Sequence, residues 1–229
     1  MGFPVEVEKW RGLVEDEIKS GGFPFPPELI LSLIRFESGG KAGAVNQKSK
    51  ASGLMQIMQV ALNEFNKKTG HNWTLAELRR ADLESTRKQI QAGLWVLGNF
   101  WRGAYNYIKG REEVVPVDDL ARIGDLFYAA GPGAIKPLLD KLPRAVFDAF
   151  AARYPTHKAG THAKSVWGLA AENNPQWNIA AIDSWVSGTT GGDTAIAKTP
   201  EQGFMLALLV IVVVWFFFGK FAGKAPKND

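Results

Sequence analysis

Glu37 is the residue whose type and position first suggest chemistry. At about 100° per residue, Glu28, Ser32 and Arg35 share one narrow polar sector of a helix, and Glu37 falls nearly opposite, among Ile30, Leu33 and Ile34. A carboxyl group at the end of an apolar stripe loses solvation when it ionises, which favours the protonated acid. Such an acid can give its proton to a leaving group. The plain alternative is a helix end at which Glu37 swings into solvent over Ser38, Gly39 and Gly40. Gln56, in the segment Gly53-Leu54-Met55-Gln56-Ile57-Met58, can both donate and accept, which suits a sugar amide or hydroxyl. The Leu and Met residues around it read as core when taken alone. Tyr128 stands at a helix end before the turn Gly131-Pro132-Gly133, where a core tyrosine is the simpler reading.

Other residues of suggestive type carry less. His157 and His162 are a poor helical ligand pair with no acidic cluster beside them, and read as structural. Trp95, Trp101 and Tyr105 recur along one helix and read as core rather than as a sugar platform. Trp177 and Trp185 suit anchors at a membrane interface.

The elements that must position these residues are helices. Residues 5–19 form an amphipathic segment that stops at Gly21-Gly22. Pro24, Pro26 and Pro27 then favour a helix from Pro27 to Glu37. The next helix is expected over residues 54–68, ended by Gly70, and Thr74-Leu75-Ala76-Glu77 has capping-box spacing. Residues 86–109 form the longest helical stretch, 117–130 ends at Gly131, and shorter helices fill 134–153 and 161–172. No strand alternation and no internal repeat interrupts this pattern. The expected fold class is all-α.

Composition narrows the function classes. The 229 residues include 14 Phe, 8 Trp and 4 Tyr, enough apolar bulk for a packed domain rather than a disordered chain. The absence of cysteine removes disulfide scaffolds, thiolate metal sites and cysteine nucleophiles. A net charge of +4 is too small and too diffuse to argue for nucleic acid.

In order along the chain, Glu37-Ser38, then Gly53-Leu54-Met55-Gln56-Ile57-Met58, then Tyr128-Ala129-Ala130-Gly131-Pro132-Gly133 resemble the soluble lytic transglycosylase (SLT) family of peptidoglycan-cleaving enzymes. Asp82-Leu83-Glu84 and Gln89-Ile90-Gln91-Ala92-Gly93 are similar to a further family segment, and the resemblance spans about residues 26–143. Ala129 and Gln89 stand where the family has Asn, Gln59 where it has Pro, and the family's Glu-Thr continuation after Leu142-Pro143 is missing. The resemblance implies a compact lysozyme-like helical domain with Glu37 as the one essential catalytic carboxylate. Glu37 would protonate the oxygen between N-acetylmuramic acid and N-acetylglucosamine, then take the proton of the muramic C6 hydroxyl as a 1,6-anhydro ring closes. Gln56 and Met58 would line the adjoining subsite, Tyr128 would bond near the acid, and Ser38 counts as a substrate-side residue that also fixes the helix end. No metal and no cofactor is implied. A lysozyme-type hydrolase is the rival enzyme, with Asp82, Asp125 or Glu64 as its second carboxylate. A domain that binds peptidoglycan without cutting it is the non-enzymatic rival.

The C-terminus carries a different signal. Residues 204–218 are an unbroken apolar run, and extension to residue 223 gives about 20 residues, roughly 30 Å of helix. The chain thus divides into an N-terminal helix and Pro-rich connector (1–25), the lysozyme-like domain (26–186), a linker (187–202), a transmembrane helix (203–223) and a basic tail (224–229). Lys220, Lys224 and Lys227 place that tail on the cytoplasmic side and the large domain toward the cell wall. The acidic N-terminus does not read as an export signal. The expectation is therefore a bacteriophage virion protein, anchored in a viral membrane, that opens the wall locally as the phage penetrates. Its expected partners are peptidoglycan glycan strands, a lipid membrane and virion proteins, without nucleic acid.

Overall fold

Gly and Pro punctuation cuts the chain into eleven helices among the residues described in the computed structural model, which are 2–186 apart from 112, 114, 115 and 174. They are α1 (Val5–Glu8), α2 (Arg11–Gly21), α3 (Pro27–Ser38), α4 (Gln59–Thr69), α5 (Leu75–Leu78), α6 (Leu83–Gly110), α7 (Val117–Ala130), α8 (Pro132–Leu139), α9 (Phe147–Arg153), α10 (Lys158–Glu172) and α11 (Ile179–Val186). No strand forms among the described residues; two isolated bridges, Val45 with Ser52 and Ser52 with Ile57, are the only β pairing there.

The 28-residue α6 is the spine, and α2, α4, α5, α7, α8 and α11 all pack on it. Its N-terminus is set by Asp82, whose carboxylate accepts the backbone N–H of Ser85 at 2.8 Å. The helix therefore begins a turn earlier than residue 86. Along its length Trp95 and Trp101 are buried in the core, as expected, while Tyr105 packs against it only partly buried. The capping box at Thr74 and Glu77 forms and opens α5.

α3 is a central helix rather than a surface one. Six consecutive residues, Leu29 to Ile34, are buried, including Ser32, whose hydroxyl donates to Glu28 O at 2.7 Å. The polar sector expected through Ser32 is thus covered, because α1, α2 and α10 pack on α3 from several sides. Pro27 begins the helix, and Gly39 in the left-handed region at φ 61° ends it.

Two further expectations change. Residues 5–19 are not one helix but α1 and α2, divided at Lys9 and Trp10. Residues 54–57 are not helical either, because Ser52 and Ile57 exchange backbone hydrogen bonds of 3.0 and 2.9 Å across a tight turn. Helix α4 begins only at Gln59. The α11 helix has no counterpart in the sequence reading. It brings Trp185 into the core, 4% exposed, against Phe23, Phe25 and the Arg102 guanidinium. Trp177 stacks between Trp101 and Trp167 at 5.9 and 5.6 Å. Both tryptophans expected at a membrane interface are therefore engaged in the domain itself.

Among the described residues no helix is long and apolar enough to cross a membrane. The linker 187–202, the apolar segment 203–223 and the tail 224–229 lie outside the described residues.

Candidate active site

The site is built where the end of α3, the loop of residues 51–58, α7 and α10 meet. The loop owes its shape to two positive backbone angles, φ 81° at Gly53 and φ 47° at Gln56. Glycine relieves the first, and any side chain there would also strike Gln89 at 2.6 Å. Leu54, Met55 and Ile57 point inward and are buried, while Met58 stays 42% exposed. Met55 reaches the core across Gly93, where an added Cβ would lie 2.2 Å from its sulfur.

Gln89 fastens this loop to the spine. Fully buried, its Oε1 accepts the N–H of Leu54 at 2.7 Å, and its Nε2 donates to Leu78 O at 2.6 Å and Ala42 O at 3.1 Å. One amide thus satisfies backbone groups on three segments that have no regular partner. From α7, the Tyr128 hydroxyl donates to Met55 O at 2.6 Å and holds the loop from a second side. Burial, then the negative charges of Glu37 and Asp125, push the Tyr128 phenol well above its ordinary value, so it remains a donor.

Glu37 stands in the last turn of α3, its side chain 19% exposed. Its surroundings are not simply apolar. Oε1 lies 2.9 Å from Nε2 of His162 on α10, and Nδ1 of the same ring lies 2.8 Å from Oδ2 of Asp125 on α7. Burial alone would push His162 down; the hydrogen bonds and charges of Asp125 and Glu37 prevail and raise it to about 10. At neutral pH the ring is an imidazolium donating from both nitrogens. The Phe36 ring meets it edge-on, with centroids 4.5 Å apart.

The remaining sequence candidates are placed as follows. The Ser38 hydroxyl donates to Ile34 O at 3.0 Å and accepts from the Gly40 N–H at 3.2 Å, closing the C-terminus of α3. The Gln56 amide donates to Gly53 O at 2.9 Å within its own loop. Asp82 is occupied as the N-cap of α6, and Glu64 lies on α4. Asp125 does reach the site, but buried behind His162. His157 caps α10 through Nδ1, which accepts the Ala159 N–H at 3.2 Å.

His162 is the site residue that the sequence reading missed. A signal was present: Ala159, Ala163, Val166 and Ala170 form the buried stripe of α10, and His162 falls about 40° from Val166 at roughly 100° per residue. Considered only as a metal ligand beside His157, it offered no partner. Considered as a base on a buried face, it called for a carboxylate.

No curated protein sequence matches the chain. The Transglycosylase SLT domain family matches residues 18–136, from the end of α2 into α8, and so includes Glu37, the loop, Gln89 and Tyr128 but not His162. The chain belongs to this family, whose members are lytic transglycosylases acting on peptidoglycan.

Proposed function

We propose that the chain cleaves the β-1,4 bond between N-acetylmuramic acid and N-acetylglucosamine, with Glu37 as acid and then base and a 1,6-anhydro end as product. The observation that carries this reading is the Glu37 carboxyl, part-exposed at the end of α3 with one oxygen held by His162. Its other oxygen faces no protein partner among the described hydrogen bonds and suits proton transfer. Glu37 first protonates the glycosidic oxygen, and the substrate's acetamido group supports the positive anomeric carbon. The carboxylate so formed then accepts the C6 hydroxyl proton. A hydrolase would want a second carboxylate holding water. Two of the three candidates are otherwise committed, Asp125 to His162 and Asp82 to the start of α6, which leaves Glu64 on α4 and favours ring closure over hydrolysis. Glu37→Gln is expected to lower turnover of purified peptidoglycan by roughly two or more orders of magnitude with the fold intact. Mass spectrometry of the wild-type products, run with and without a chelator, decides the rest. Anhydro ends, lighter than reducing ends by one water and insensitive to the chelator, are expected. Reducing ends would mean a hydrolase, and no cleavage would mean a binding domain.

The apolar run of residues 204–218, with the lysines behind it, supports a membrane anchor that keeps the domain close to the wall. A tethered muralytic domain acts locally, which suits a virion protein opening the wall as a phage penetrates. Full-length protein is expected to float with liposomes and a chain ending at residue 200 to stay below. In native membranes a protease should reach the domain from the wall side and spare the tail. Full-length protein left at the bottom of the gradient would end the anchor reading, and its absence from purified virions would end the virion reading.

A further inference from the structure

We propose that His162, held by Asp125, is a positioning residue that presents one chosen oxygen of Glu37 to the substrate and sets a positive charge against the carboxylate formed in the reaction. This rests on the reading of Glu37 as acid and base.

Three helices supply the three groups: Glu37 from α3, Asp125 from α7 and His162 from α10. Their side chains are 19, 8 and 11% exposed, so the chain of hydrogen bonds is nearly closed to water. Both ring nitrogens face carboxylate oxygens at 2.8 and 2.9 Å. A neutral imidazole with its proton toward Asp125 would accept the Glu37 proton at Oε1 and hold it away from the substrate. The ring protonated on both nitrogens, which its raised value favours, leaves that proton to Oε2. Asp125 is buried, so its charge requires that partner. The ring is not free to turn, because Phe36 packs edge-on against it and Tyr128 lies with its ring centroid 6.4 Å away.

The ionisable groups facing His162 are Glu37 from α3, and Asp125 and Tyr128 from α7. Tyr128 is committed to Met55 O, and Lys158 and Lys164 on α10 are exposed.

The consequence for Glu37 is geometric. With Oε1 bonded to His162, only Oε2 is left to carry the transferable proton. In the first step the Oε2 proton moves to the glycosidic oxygen as the C1–O bond breaks. The negative charge left on Glu37 lies beside the imidazolium. In the second step the C6 oxygen bonds to C1 and its proton returns to Oε2. His162 keeps its own two protons throughout. The last turn of α3 carries the partial negative charge of a helix C-terminus, so a cation there also offsets the cost of ionising Glu37 at that end.

The test uses the full chain acting on soluble, uncrosslinked glycan strands. For His162→Gln, kcat is expected to fall on the order of 10- to 100-fold while KM changes within about twofold. The alkaline limb of kcat that follows deprotonation of the ring, at about pH 10 in the wild type, is expected to be lost with the imidazole. Asp125→Asn, which takes one carboxylate from the ring, should lower kcat by less and bring that limb to lower pH. Imidazole added to His162→Ala should restore part of the lost rate. A wild-type kcat and an unmoved limb in His162→Gln overturn the proposal. So does a lower kcat with an unmoved limb and no rescue by imidazole, which is the pattern of a purely structural residue. If Glu37→Gln remains active, the underlying assignment of Glu37 fails. If Glu37→Gln is inactive while His162→Gln behaves as wild type, only the inference about His162 fails.

Discussion

The two flanks of Glu37 are held by different means. On one side the loop of residues 51–58 is fixed by side chains that serve backbone groups: Gln89 on Leu54, Ala42 and Leu78, and Tyr128 on Met55. On the other, α10 packs its small residues Ala159, Ala163 and Ala170 into the core and contributes one polar group, His162, that meets two carboxylates. The first flank depends on neutral hydrogen bonds and close packing; the second depends on charge. Changes of shape should damage the loop side most, and changes of pH the α10 side.

The largest stability effect is expected at Gln89. Gln89→Ala leaves the Leu54 N–H and the Leu78 and Ala42 carbonyls without their partner inside the core, and opens a void. Unsatisfied buried groups of this kind cost about 1–3 kcal/mol each, so a loss of about 3 kcal/mol or more is expected in urea unfolding. Gln89→Asn, one methylene shorter, should recover only part of it. A loss below about 1 kcal/mol for Gln89→Ala would mean that the loop is held by its own turn.

The same contrast explains what was legible in the sequence. Gly53 lies in a segment that resembles the family, and its reason is local, a left-handed turn; Gly93 and Gln89 were marked only by the resemblance, and what they do, making room for Met55 and fastening Leu54 from 35 positions away, was not readable. The boundaries of α7 and the capping box of α5 depend on nearby residues too, and both were readable. What depends on distant partners was not. The burial of Ser32 comes from helices packed around α3. The turn at residues 54–57 was missed for a nearer reason: apolar residues read as helix there are closed into a turn by the pairing of Ser52 with Ile57. His162 is 125 positions from Glu37, and only the packing of α10 against α3 and α7 joins them.

The second effect sharpens the charge side. His162 is raised from 6.5 to about 10 in the folded protein. A base with a raised folded value contributes its full stabilisation below the unfolded value and loses it as pH climbs to the folded one. The wild-type thermal midpoint should therefore decline between about pH 6.5 and 10 by more than that of His162→Gln. The gap between the two proteins should be widest near pH 6 and narrow steadily above it. A gap constant across that range would show that His162 stabilises by packing against Phe36 and not by its charge.

The smallest effect is expected at Tyr128, where the two flanks touch. Its hydroxyl serves the loop through Met55 O, and its ring lies beside His162 and edge-on to Phe100 at 6.1 Å. Tyr128→Phe keeps the ring and removes one neutral hydrogen bond, worth about 1 kcal/mol. For a domain of this size that lowers the thermal midpoint by about 2–4 °C. Gln89 still fastens the loop, so the rate of glycan cleavage should fall only a few-fold. The alkaline limb should stay in place, since the phenol is uncharged and removing it takes no charge from Glu37 or His162. A rate loss of about two orders of magnitude with an unchanged midpoint would give a different answer. The hydroxyl would then leave Met55 in the working enzyme and bond the sugar or Glu37 itself, and the loop side of the site would take a direct part in the chemistry.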